Sequence, residues 1–129
     1  MTTKTMKARN LAFVLSMANG NRSLANITMA SGNGIVEAGT AIGLITASKK
    51  FVPSADAEVV GSEGAEVATA VLAYAVDTTD GDVETVAVDA DAEVKGPMLK
   101  FDVSVDDETK INAKIAQLEA VGVRVREGA

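Results

Sequence analysis

Carboxylates are the side chains of this sequence whose type and spacing could support chemistry. Asp77, Asp80 and Asp82 form one acidic stretch, and Glu63 lies close to Glu66 in another. Neighbouring carboxylates can bind calcium or share a proton in acid–base catalysis. The first stretch lacks the alternating ligands and the distal Glu of a helix-loop-helix calcium site. Both stretches lie among Gly, Ser and Thr, so the sequence favours solvated turns over a reactive cleft.

No other residue type offers a stronger catalytic candidate. The sequence has no His and no Cys, which removes the Ser-His-Asp triad, thiolate nucleophiles, disulfides and most zinc sites. The run Gly32-Asn33-Gly34 lacks the third glycine and the following helix of a dinucleotide-binding turn. We therefore expect a protein that is not an enzyme and that uses no metal and no cofactor.

Charge and hydropathy restrict the partners. The formal net charge is −6, and an acidic chain repels nucleic acid over most of its surface. No apolar run approaches the roughly 18 residues needed to span a bilayer. Lys4, Lys7 and Arg9 precede an apolar run at 11–15, as in a signal peptide, but the run is short and no cysteine indicates an oxidising destination. We expect neither a nucleic-acid nor a membrane partner, and no secretion.

The larger part of the chain, from Ile35 onward, has the pattern of a β-rich domain. Short apolar runs at 40–46, 49–53, 68–76 and 83–88 are separated by Gly, Pro or Asp-Gly turns. The run at 68–76 is apolar on both faces, which indicates burial on both sides. These runs predict a small barrel-like or sandwich-like domain.

One amphipathic helix is predicted near residues 107–121. An Asp at its start can cap the free N–H groups, and Gly122 suits the left-handed turn that ends a helix. Its apolar stripe consists of Ile111, Ile115, Leu118 and Val121. The expected fold class is therefore mainly β, with some α+β character, one C-terminal amphipathic helix and an extended N-terminal arm.

The predicted arm comprises residues 1–34, and the predicted β-rich domain comprises residues 35–129. Within the arm, Asn-Gly breaks separate two short strand-like pieces, each too short to bury itself. We expect the arm to become ordered mainly through contacts with other chains. Its predicted apolar anchors are Phe13, Leu15, Ile27 and Met29.

Several segments, in this order and spacing, resemble the lambda-type phage head decoration family. The resemblance covers nearly the whole chain, although each segment is short. The segments are Phe13-Val14-Leu15-Ser16, Asn19-Gly20-Asn21-Arg22-Ser23, Ile27-Thr28-Met29-Ala30-Ser31-Gly32, Val36-Glu37-Ala38-Gly39-Thr40-Ala41-Ile42-Gly43, Ala70-Val71-Leu72-Ala73-Tyr74-Ala75-Val76-Asp77 and Leu118-Glu119-Ala120-Val121-Gly122-Val123-Arg124-Val125-Arg126.

The resemblance implies a capsid decoration protein, also called a cement protein. Such a protein has a small β-rich fold with a helix and assembles as a homotrimer. The trimers sit on the outer surface of an expanded head, bind neighbouring copies of the major capsid protein and resist the pressure of packaged DNA. The resemblance thus implies a virion component, made in the host cytoplasm. Beside it, the two strand-like pieces of the arm 1–34 suit strand addition to the sheet edge of a partner, so we expect this arm to bind the capsid.

Two alternatives from other functional classes stay open at this point. A small β-barrel that binds a ligand or a peptide would be a monomer with an open apolar pocket. An enzyme that uses paired carboxylates, such as Glu63 with Glu66 or Asp80 with Asp82, would hold a pair with a shifted pKa in a cleft.

Overall fold

The computed structural model describes residues 11–18 and 22–127. This part of the chain forms ten strands, a 3-10 turn at Gly96–Met98 and one α-helix. The strands are β1 (Val14–Met17), β2 (Leu24–Met29), β3 (Ile35–Val36), β4 (Ala41–Leu44), β5 (Phe51–Pro53), β6 (Ala68–Leu72), β7 (Val76–Asp77), β8 (Val83–Val88), β9 (Ala92–Lys95) and β10 (Val123–Arg126); the helix is α1 (Glu108–Ala120). The predicted β-rich fold class with a barrel and a C-terminal helix is confirmed.

Five strands form a closed barrel in the order β2-β5-β4-β6-β8. Its strands pair antiparallel, except that β2 meets β5 in parallel at Met29 and Phe51. Buried Met29, Ile42 and Leu72 belong to one apolar cluster of this barrel. Because the sequence is poor in aromatic residues, aliphatic side chains and Ala fill the interior.

Strand β6 is buried on both faces, as its sequence predicted. Ala70 and Leu72 belong to the apolar cluster of Met29, whereas Ala68 and Val71 belong to a second cluster. The strand is shorter than the predicted run 68–76. The chain bends after Leu72, so Tyr74 is exposed, and Val76–Asp77 pairs with β3 as the separate strand β7.

A second sheet, in the order β1-β9-β10, packs with α1 against the barrel. Strand β1 is antiparallel to β9, and β10 is parallel to it. The helix begins where its capping residue was predicted, because the Asp107 side chain accepts a hydrogen bond from the backbone N–H of Lys110 at 2.9 Å. Of the predicted stripe, Leu118 is fully buried and Val121 is exposed. No helix in the described part of the chain has the length and hydropathy to cross a membrane.

The predicted division between an arm and a domain is corrected for residues 11–18 and 22–34. Strand β2 pairs with β8 along all six of its residues and so forms part of the barrel wall. Strand β1 pairs with β9. Both short pieces find their partners more than 50 residues later in the chain, and such long-range pairing leaves no local sequence pattern. Residues 1–10 and 19–21 of the predicted arm lie outside the described residues.

Candidate binding surface

The four predicted anchors divide into two core residues and two residues nearer the surface. Phe13 is 2% exposed and belongs to the cluster between the second sheet, α1 and the barrel, and Met29 is 0% exposed inside the barrel cluster. Leu15 is 41% exposed, and Ile27 is partly buried against the barrel cluster. In this fold Phe13 and Met29 cannot insert into a partner, because their side chains already fill the core.

Strand β1 lies at the edge of the second sheet. On the side away from β9 it pairs with no other strand among the residues that the structure describes. Its pairing shifts between Val14 and Ser16, so Leu15 occupies a β-bulge, and Leu15 and Met17 are each 41% exposed. An edge strand with apolar side chains is a template for pairing with another chain.

Polar contacts fix β1 across its sheet. Ser16 Oγ donates a hydrogen bond to Glu93 Oε2 at 2.9 Å. On the other side of β9, Arg126 donates from Nε to Glu93 Oε1 at 2.7 Å, and its second guanidinium nitrogen lies 2.6 Å from the same oxygen. The hydrogen bonds from Arg126 and Ser16 lower the pKa of Glu93. One carboxylate therefore joins all three strands beside the exposed edge.

A second apolar area lies near the two-stranded sheet of β3 and β7. Ile35 and Val103 are both exposed there and line a groove of about 490 Å³ together with Pro53 and Phe101. Glu37 and Lys100 also line this groove, and their side-chain charges lie 3.9 Å apart. Ile35 and Val103 could not be predicted from the sequence, because a two-residue strand and a single apolar residue in a loop carry no periodic signal.

The acidic stretch at 77–82 shapes turns. Asp77 Oδ1 accepts hydrogen bonds from the backbone N–H and the hydroxyl of Thr79, and these bonds lower the pKa of Asp77. Asp82 forms an ion pair with Lys50 at 2.6 Å and accepts a hydrogen bond from the backbone N–H of Ser31, and both contacts lower its pKa. Within residues 11–18 and 22–127, no three carboxylates are grouped to hold a metal ion.

A groove of about 650 Å³ is lined by residues of β2 and β8, by Phe51 at the start of β5 and by Lys49 just before it. Ile27, Phe51 and Val86 are its apolar residues, and Lys49 and Glu84 place opposite charges at it. The remaining lining side chains are the polar groups of Asn26, Thr28 and Thr85. This mixed, open groove differs from the apolar pocket that the ligand-binding alternative predicts.

A family model described as bacteriophage lambda head decoration protein D matches residues 3–123. The chain belongs to this family. A comparison with curated proteins found no match. The match covers the barrel, β1, β9 and the helix and ends at the first residue of β10, so it applies to nearly the whole described fold rather than to one motif.

Family membership makes this chain a phage head decoration protein and a structural component of the virion capsid. The suspected resemblance is therefore confirmed. Membership of a structural family also argues against the carboxylate-enzyme alternative. The contacts of Asp77 and Asp82 give both residues a structural role in their turns.

Proposed function

We propose that this chain binds the outer surface of an expanded phage head as a homotrimer, contacts the major capsid protein and stabilises the head against DNA pressure. The proposal includes synthesis in the host cytoplasm and no contact with nucleic acid. Family membership supports attachment to the capsid. The observation that carries the mechanism is the open edge of β1, with Leu15 and Met17 exposed on it.

In the proposed mechanism, an extended segment of the major capsid protein pairs with β1. Main-chain hydrogen bonds supply affinity, and the exposed side chains of Leu15 and Met17 enter apolar sites on the partner. Of the four predicted anchors, Leu15 contacts the capsid directly in this mechanism. Ile27 contributes at the margin of the contact, where it lines the groove of β2, β5 and β8. Phe13 and Met29 support the contact indirectly, because their buried side chains fix the positions of β1 and β2.

We propose the groove of Ile35 and Val103 as the contact between copies in the trimer. Both side chains are exposed in the single chain, and burying one such side chain contributes roughly 1.5–3 kcal/mol. Three weak β1 contacts on one trimer then act together, because each bound copy raises the effective concentration of the next.

The test is co-sedimentation of the protein with expanded, empty heads. The double variant Leu15→Asp with Met17→Asp should lose binding, because it removes two apolar contacts and requires desolvation of two charges. Ala116→Asp adds a charge on the exposed part of α1 and serves as the control, with unchanged binding expected. Normal saturation of heads by the double variant would refute strand addition at β1.

The trimer is tested by two measurements. Light scattering gives the mass of the protein in solution, and a density map of decorated heads shows how many copies cluster at each site. Ile35→Asp should lower the mass to that of one chain. A monomeric wild type on the head lattice would contradict the homotrimer.

A further inference from the structure

The loop between β5 and β6, residues 54–67 and here called the acidic loop, carries an exposed apolar tip. Val60 is 98% exposed, and its neighbour Val59 is 49% exposed. A single exposed apolar side chain is ordinary on a protein surface. Two adjacent exposed valines at the tip of a loop indicate a contact site if the rest of the loop is held in a fixed shape.

A buried lysine of α1 holds both ends of this loop. Lys114 is 1% exposed, and its ammonium group donates hydrogen bonds to Ser54 Oγ at 3.0 Å and to the backbone oxygens of Ala55 and Glu66. Burial lowers the pKa of Lys114, while the charges of Asp56, Glu66 and Asp102 act in the opposite direction. Burying a lysine is costly, so the hydrogen bonds that it makes are specific structural ties.

The loop is also fixed to the barrel. A Cβ atom on Gly43 of β4 would lie 2.1 Å from the backbone oxygen of Ala65, so the loop backbone rests directly on this strand. The same oxygen accepts a hydrogen bond from Ser54 Oγ at 2.8 Å. The backbone N–H of Thr46 donates to the oxygen of Glu63 at 3.0 Å. The loop therefore holds the two valines at its tip in a preformed arrangement.

The charged side chains of the loop itself all have one sign. The acidic loop contains four carboxylates and no Lys or Arg. Glu63 and Glu66 accept hydrogen bonds from backbone N–H groups of the loop itself, whereas Asp56 and Glu58 are exposed. A cleft of about 180 Å³ lies beside Val59. Its lining is largely Ala, Val and Pro.

We propose that Val59 and Val60 form a second contact with the capsid, at an apolar site of the major capsid protein that is flanked by Lys or Arg. This inference rests on the proposed function and adds the chemistry of a distinct site. The negative rim calls for a basic partner surface. A second copy of this chain fits less well at this tip, because the four carboxylates of the loop would face a chain of net charge −6, whereas the groove of Ile35 and Val103 contains Lys100 beside Glu37. In this arrangement Lys114 is a positioning residue that acts through the loop.

Three single variants test this contact with the full-length chain and expanded, empty heads. Val60→Ser should weaken binding roughly 10-fold or more, since one buried valine side chain is lost from the interface. Its thermal stability should not change, because the side chain is exposed in the free protein. Glu58→Lys should weaken binding and reduce its dependence on salt. Glu119→Lys makes the same charge change at the C-terminal end of α1 and should bind normally.

The outcomes separate the two proposals. Failure of the wild type to bind heads would refute the proposed function itself. Loss of binding by the Leu15 and Met17 double variant, together with wild-type affinity of Val60→Ser and Glu58→Lys, would refute only the acidic-loop contact. If Val60→Ser lowered the solution mass of the protein and left the affinity of each chain for heads unchanged, the tip would bind a second copy, and the inference would be wrong.

Discussion

Replacing Phe13 with Ala distinguishes a core residue from a capsid anchor. The ring is almost fully buried with Val94 and Leu118 in one cluster, and a Cβ atom on Gly39 would lie 3.5 Å from it. Large-to-small changes of a buried Phe cost about 3–5 kcal/mol. Because the ring packs against backbone as well as side chains, the cavity cannot collapse easily, and we expect a loss of about 4 kcal/mol.

The measurement is urea unfolding monitored by circular dichroism. With a slope of about 2 kcal/mol per M, this loss lowers the unfolding midpoint by about 2 M. Leu15→Ala is the matched control, two residues farther along the chain in β1. Its side chain is half exposed, so its free energy of unfolding should change by about 0.5 kcal/mol.

The affinity for heads also distinguishes the Phe13 variant from the Leu15 variant. Under conditions in which Phe13→Ala is folded, it should bind heads more weakly only in proportion to its loss of stability, because Phe13 holds β1 in place. Leu15→Ala should bind more weakly although its stability is almost unchanged. If Phe13→Ala had a wild-type midpoint and lost its binding, Phe13 would be a capsid anchor, and the assignment of residues 11–18 to the core would be refuted.

Three further perturbations follow from the described contacts. Lys114→Met should destabilise the fold by about 1–3 kcal/mol in urea unfolding, because buried loop carbonyls lose their donor while relief of ammonium desolvation offsets part of the loss; a neutral effect would contradict the tie. Gly43→Ala should lower the free energy of unfolding by about 1–3 kcal/mol, because the added methyl group overlaps the loop backbone. The measurement is the melting temperature, and Gly81→Ala is the control, since its added methyl group has open space. The lowered pKa of Glu93 means that its stabilisation by Arg126 is present above its ordinary value of 4.5 and is lost as pH falls through the lower folded pKa. The difference in melting temperature between the wild type and Glu93→Gln should therefore shrink with acidification, and a constant difference would contradict the ion pair's role.

The sequence predicted the elements whose signals are local. The helix at 108–120 was accessible because a capping Asp, an apolar stripe and a terminal glycine all lie within one segment. Strand β6 was accessible because both of its faces are apolar. The positions of β1 and β2 in the fold could not be predicted, since their partners β9 and β8 are distant in sequence.

The candidate surfaces were harder to predict for a related reason. Leu15 was found because it alternates with other apolar residues in a strand-like piece. Ile35, Val60 and Val103 lie in segments too short to show a periodic pattern, and only the folded chain shows that they remain exposed. Lys114 was missed because a lysine in a helix is ordinarily solvated, and its burial depends on three oxygen atoms from a loop about 50 to 60 residues earlier.

The corrected position of β1 changes the energetics of strand addition. A disordered arm loses about 1–2 kcal/mol of backbone entropy for each residue that becomes fixed on the capsid. Strand β1 has already lost this entropy during folding, because Phe13 in the core and the pairing with β9 hold it in place. When a partner strand pairs with the edge of β1, the new contacts therefore have to offset only the entropy cost of ordering side chains. Mutations that loosen Phe13 transfer the entropy cost back to the binding step, so head affinity should decline with the local stability of β1 even where no capsid contact is removed.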